Sequence, residues 1–201
     1  MNKPFHFSLL SLLFAAMTLA LVAFVQPNDT YNLDLASSKA TWKARKVTGE
    51  HYGSVKFKSG KLEMSGSKLT GGSFEMDMTS LTVEDLTGDM AGKLAGHLKS
   101  DDFFSVEKHP TAKFDITKVA AVDKAGNYKV TGNLVIKGIS KETTFDANVA
   151  VAKGAATGTA TLKIDRTQYD IRYRSANFFE NLGDKAIYDD FEITVKLVAK
   201  K

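Results

Sequence analysis

Cysteine is absent from all 201 residues. That excludes disulfide staples, thiolate nucleophiles and sulfur-held metals, and it excludes a lipid anchor on an N-terminal cysteine. Charge of one sign is also scarce in bulk: Lys and Arg number 27 against 23 Asp and Glu, a formal net charge of +4. No long basic run and no basic helix interleaved with aromatics occurs, and most lysines stand singly beside Glu, Asp or Thr, as in VKFKSGKLEM. This reads as a solvated surface, and no nucleic acid is expected as a partner. Beyond residue 31 there is no second long hydrophobic segment, no low-complexity linker and no repeat of the solenoid kind, so residues 31–200 read as one domain.

The N-terminus supplies what the remainder lacks. Phe7–Val25 runs for 19 residues without a charge, behind the short positive stretch containing Lys3 and ahead of the turn-like QPND. Its length exceeds the usual signal core of about 7–15 residues and just reaches the about 18 that a membrane span needs, so length alone leaves both readings open. Residues 1–25 therefore read as a signal peptide, with Thr18 and Ala20 permitting cleavage after Ala20, or as an uncleaved membrane anchor. Either outcome exports the domain, to the periplasm or the outer face of the inner membrane, and attachment through residues 7–25 stays open.

Within the domain, apolar residues recur with a period of two, the mark of half-buried strands. Val55 and Phe57 alternate with Lys56 and Lys58, Phe74 and Met76 with Glu75 and Asp77, and Phe114 and Ile116 with Lys113 and Asp115. Leu134 and Ile136, then Phe145, then Leu162 and Ile164, and finally Phe191 and Ile193 continue the pattern. Two hairpins can be registered. A turn at Ser59-Gly60 would set Phe57 opposite Leu62, Val55 opposite Met64 and Lys56 opposite Glu63. A turn at Lys153-Gly154 would set Phe145 opposite Leu162, Ala147 opposite Ala160 and Asn148 opposite Thr159.

About eight strands with one apolar face each must stack as two sheets or close into a barrel, and an eight-stranded barrel has room for side chains or one slender ligand. Lys56, Lys58, Lys113, Lys129, Lys137, Lys163 and Lys196 occupy the polar positions, and packing them into a lumen would cost far more than leaving them wet. The apolar face must look inward. The predicted class is all-β with one short helical segment, an antiparallel eight-stranded barrel. Helical spacing appears once, where Leu86, Met90, Leu94 and Leu98 fall every fourth residue beside Gly88, Gly92 and Gly96. Three glycines weaken a helix by about 1 kcal/mol each relative to alanine, so the segment is expected to be marginal and to close one end of the barrel.

The stretch HLKSDDFFSVEKHPTAKF at 97–114 raises a different possibility. His97, Asp101, Glu107 and His109 could form a metal-dependent hydrolytic site, yet the histidines are separated by a helix end and Pro110, without a metal-ligand spacing. The plainer reading is a helix end and a loop pinned by Phe103 and Phe104 before a strand.

This stretch closely resembles the signature of the YceI-like family. WKARKVTGEHYGSVKFKSGKL at 42–62, GGSFEMDMTSLTVEDL at 71–86, GNLVIKGISKETTF at 132–145, LKIDRTQYDI and DFEITVKLVAK are similar to that family as well. One departure occurs after Arg166, where many members carry Phe-Gly-Ile and this chain has RTQYDI. The resemblance implies a lipocalin-like barrel, exported from the cytoplasm, that encloses a long isoprenoid lipid, with no enzymatic activity and no cofactor beyond that lipid or quinone. On that reading Trp42, Val55, Phe57, Phe74, Met76, Phe103, Phe104, Phe114, Ile116, Leu134, Ile136, Phe145, Leu162, Ile164, Phe191 and Ile193 line the lumen. His51, Arg166, Arg172 and Arg174 are candidates for a polar head group. A core packed solid, a stress-protective protein whose apolar groove receives a peptide, and a homodimer all stay open.

Overall fold

The computed structural model describes residues 28–201, so the expected leader at 1–25 lies outside the described residues. Nine strands follow one another: β1 (Asp29–Leu33), β2 (Lys39–Lys46), β3 (Gly49–Ser65), β4 (Lys68–Asp77), β5 (Thr111–Ala121), β6 (Asn127–Ile136), β7 (Ile139–Ala152), β8 (Ala155–Asp165) and β9 (Ile187–Lys200). One α-helix, α1 (Gly88–Lys99), lies between β4 and β5. Every pairing is antiparallel, and the sheet closes because β1 and β2 both bridge β3 and β9. These two strands fill one position in turn, so the barrel has eight positions, as the alternating pattern requires. Between them Asp34 makes the break, accepting from the amides of Ala36 and Ser37 and from Lys200 Nζ at 2.6 Å.

Side chains on the inward parity form one continuous core, from Tyr31 and Met64 to Phe191 and Ile171. Six of the seven predicted outward lysines are exposed. Lys137 is half-buried in the β6–β7 turn, where its ammonium donates to the carbonyls of Asp101 and Asp170 at 3.3 and 3.0 Å.

The Lys153-Gly154 turn forms, with both residues at positive φ, and it sets Ala147 opposite Ala160 and Asn148 opposite Thr159. The ladder stops there: β7 and β8 diverge beyond it, so Phe145 pairs with Val130 and Leu162 with Ile193 instead of with each other. A 3-10 helix, Arg166–Tyr169, fills this seam with the Tyr169 ring, only 2% exposed. The Ser59-Gly60 turn does not form. β3 runs straight through, Phe57 pairs with Met76, and Lys56 meets Asp77 in place of Glu63. A bulge between Phe57 and Ser59 shifts the parity, which lets Val55 and Phe57 on one side of it and Leu62 and Met64 on the other all point inward.

The two barrel ends differ. One carries the tight β3–β4 and β7–β8 turns with the start of β1. The other carries α1, the 100–110 loop and the 166–186 segment, which together form a lid. α1 begins two residues after Leu86 and buries only Leu98, while Met90, expected on the same side of the helix as Leu98, is 66% exposed. Its N-terminal half therefore stands off the barrel.

Candidate functional site

Closing a sheet whose inner face is almost wholly hydrocarbon leaves an internal cavity of about 200 Å³. Trp42 and Val55 come from adjacent strands on one side, and Phe114 and Leu134 from the opposite side. Leu98, Phe103 and Phe104 close the lid end, where Phe104 meets Phe191 edge-on at 6.2 Å. All sixteen residues expected to line a lumen border this space: Trp42, Val55, Phe57, Phe74, Met76, Phe103, Phe104, Phe114, Ile116, Leu134, Ile136, Phe145, Leu162, Ile164, Phe191 and Ile193. The volume slightly exceeds the roughly 150 Å³ that holds one benzene ring, and lies below the ~300–1,000 Å³ of drug-sized sites. The hollow is thus real but narrow. A longer occupant requires half-buried walls such as Met76, Phe104 and Phe145 to swing aside.

Sequence reasoning missed part of the lining. Val130, Val149 and Leu197 continue the period-two pattern and could have been found by extending it. Ala147, Gly158 and Ala160 carry too little side chain to register as lining, although they border the cavity too.

The lid segments are joined by specific contacts. The His97 ring sits edge-on to Phe103 and Tyr173 at 5.1 and 4.8 Å, with Nε2 3.0 Å from Asp102 Oδ2. Ser105 and Lys108 both donate to the Asp101 carboxylate and hold it below its ordinary pKa, Lys108 most strongly. The His109 ring packs over the β6–β7 turn at Gly138. His97, Asp101 and His109 therefore serve separate contacts, Glu107 is exposed, and the four do not converge. Among the described residues no three His, Cys, Asp or Glu side chains gather as metal ligands would.

The head-group candidates divide. Arg166 is 4% exposed and lies at the cavity's lid end, but its guanidinium donates to the carbonyls of Tyr188, Ile171 and Ile187 at 3.1, 2.8 and 3.0 Å. Its Nη2 is also 3.1 Å from Asp189 Oδ1, close enough for Coulombic attraction but without hydrogen-bond alignment. Burial lowers the Arg166 pKa and Asp189 opposes that fall. Asp189 in turn accepts from Ser175 and Asn177, so Arg166 anchors the 166–189 segment. His51 is half-buried with Nδ1 2.7 Å from Asp85 Oδ2. Burial works to raise the Asp85 pKa, but the Tyr52 amide and the His51 ring outweigh it and hold the carboxyl low. Arg172 and Arg174 are exposed on the lid, over the rings of Phe178 and Tyr173 at 4.7 and 5.1 Å.

Known proteins share this architecture. A crystal structure of BcnA from Burkholderia cenocepacia superposes with a TM-score of 0.68 at 24% identity, covering 84% of this chain and 99% of that one. A polyisoprenoid binding domain from Saccharophagus degradans superposes with a TM-score of 0.59 at 16% identity, covering 85% and 97%. These likenesses establish the barrel. Among curated sequences, a UPF0312 protein of Photorhabdus laumondii is 30% identical over 52% of this chain and 53% of its own length. A UPF0312 protein of Shewanella denitrificans is 33% identical over 44% of each. The chain spans about half the length of the curated relatives it matches. The model of the YceI-like domain matches residues 31–199, nearly the whole described barrel, and the chain belongs to that family.

Proposed function

We propose that this protein is a non-catalytic carrier that shelters the tail of an isoprenoid lipid, such as an isoprenoid quinone or a polyprenyl phosphate, inside the barrel. The observation that carries the reading is the cavity inside the barrel, bordered almost entirely by hydrocarbon. Each methylene-sized unit moved from water into such a space gains about 0.8 kcal/mol, most of which is offset over a long tail by the cost of ordering it. Selectivity for slender apolar molecules is what remains. Family membership and the binding description of the Saccharophagus degradans neighbour support the same reading.

The polar head stays at the lid end, where Arg172, Arg174 and His51 offer donors, since Arg166 is already committed to main-chain carbonyls. The uncharged run at residues 7–25, read as a signal peptide or an anchor, supports a carrier that works outside the cytoplasm. Native mass spectrometry of gently purified protein should show one lipid mass per chain, and stripped protein offered isoprenoid quinones or polyprenyl phosphates should take up about one equivalent. A stripped protein that binds neither class overturns the proposal.

A further inference from the structure

The cavity does not run the length of the barrel. Toward the turn end it stops at Met64, Tyr128, Ala156 and Ala199, which are fully or almost fully buried and do not border it. Just short of that floor, three small inward residues stand together: Ala147 and Ala160 face each other across β7 and β8, and Gly158 follows on β8 between Val149 and Leu197. At this depth the wall is thin.

Gly158 is not glycine for conformational reasons. Its φ is outside the left-handed region, and a Cβ built there would meet Leu197 at 3.6 Å and Val149 at 3.7 Å, ordinary van der Waals separations. An alanine fits without displacement. Because Gly158 borders the cavity, a larger side chain would extend into the hollow. The missing side chain at 158 therefore adds depth to the cavity and relieves no clash.

We propose that Gly158, flanked by Ala147 and Ala160, sets the longest tail the barrel accepts. The inference rests on the isoprenoid-carrier reading, with the tail tip against the floor and the head at the lid. Substituting Gly158 shortens the available hollow from the closed end, so it penalises long tails and spares short ones. A substitution that merely perturbed folding or uptake would weaken all lengths alike.

The test uses isoprenoid quinones graded by single prenyl units, titrated against stripped full-length protein and against Gly158→Leu. Ala160→Leu is a second variant at the same depth, in case the first does not fold. Thr157→Leu, an exposed neighbour on β8 that does not border the cavity, is the control. Gly158→Leu or Ala160→Leu should lower affinity for the longest bound quinone by at least about tenfold, while quinones about one prenyl unit shorter change by less than about threefold. Thr157→Leu should leave the length profile unchanged. An unshifted profile, or equal loss at all lengths, overturns the length assignment while the carrier reading stands. If the unaltered protein binds no quinone of any length, and polyprenyl phosphates also fail, both fall together.

Discussion

The Trp42 indole donates to the carbonyl oxygen of Thr82 at 3.0 Å, and this bond passes over Gly53 of β3, which has no side chain to block it. Residues 82–84 continue beside β3 after β4 has ended, with the Thr82 amide donating to Ser54 and the Glu84 amide to Tyr52. The carbonyl of Thr82 then lies directly against Gly53, where a Cβ would overlap it.

Gly53→Ala must push the 82–84 segment outward and break the Trp42 bond. Overpacking of this kind costs about 1–3 kcal/mol, and the lost hydrogen bond adds about 1 kcal/mol. Thermal unfolding of the variant should begin several degrees lower, and Trp42 fluorescence should shift to the red as its indole meets water. An unchanged melting point and emission would show that the segment yields freely.

Arg166, buried, and Asp189, half-buried, form a pair whose loss is asymmetric. Arg166→Met leaves Asp189 without its cation and should destabilise the fold by about 3–5 kcal/mol. Adding Asp189→Asn should recover part of that, because the orphaned charge is removed as well. Chemical denaturation of the single and double variants measures the coupling, and strict additivity would deny it.

Tyr169 gives the seam between β7 and β8 a signature in alkali. Burial raises its pKa above the usual 10.0, and the Thr143 side chain only partly opposes this. The folded state thus favours the neutral phenol. Its contribution to stability is complete below pH about 10 and falls as pH rises through the raised folded value. Tyr169→Phe should flatten that alkaline limb in a series of urea midpoints, and a limb of unchanged slope would assign it elsewhere.

In α1, Gly92 and Gly96 face open space, with nothing near enough to exclude a methyl group. Replacing either with alanine should stabilise the helix by about 1 kcal/mol. Hydrogen exchange should show slower amide opening in α1 and no change in β8. If the helix acts as the lid for a bound quinone, release should slow in the same order. Unaltered amide opening would mean that α1 is held by its surroundings and not by its own propensity.

The barrel was legible because alternation survives wherever one face is buried, and because the lysines at 56, 58, 113, 129, 163 and 196 could stand only on the outer face, in water or beside surface carboxylates such as Glu75, Asp146 and Asp190. Turns were less so. Lys153-Gly154 and Ser59-Gly60 both shift the inward parity by one residue, and a bulge inside a continuous strand makes the same shift as a two-residue turn. Only the backbone distinguishes them: Gly154 is at positive φ and Gly60 is not. The sixteen expected lining residues were found by their bulk, so the positions that matter by lacking bulk escaped. Arg166 illustrates a second limit. Its distance from Asp189 and from the carbonyls it holds is set by how the chain returns after β8, and no local pattern encodes that return.

β1 opens at Asp29, paired with Met64 beside the tight turns and with Lys201 Nζ at 2.9 Å from its carboxylate. Whatever precedes it therefore joins the barrel at the pole opposite the lid. On the carrier reading, a chain held at that pole would keep its lid facing away from whatever holds it, whereas a chain held nowhere could turn that lid in any direction.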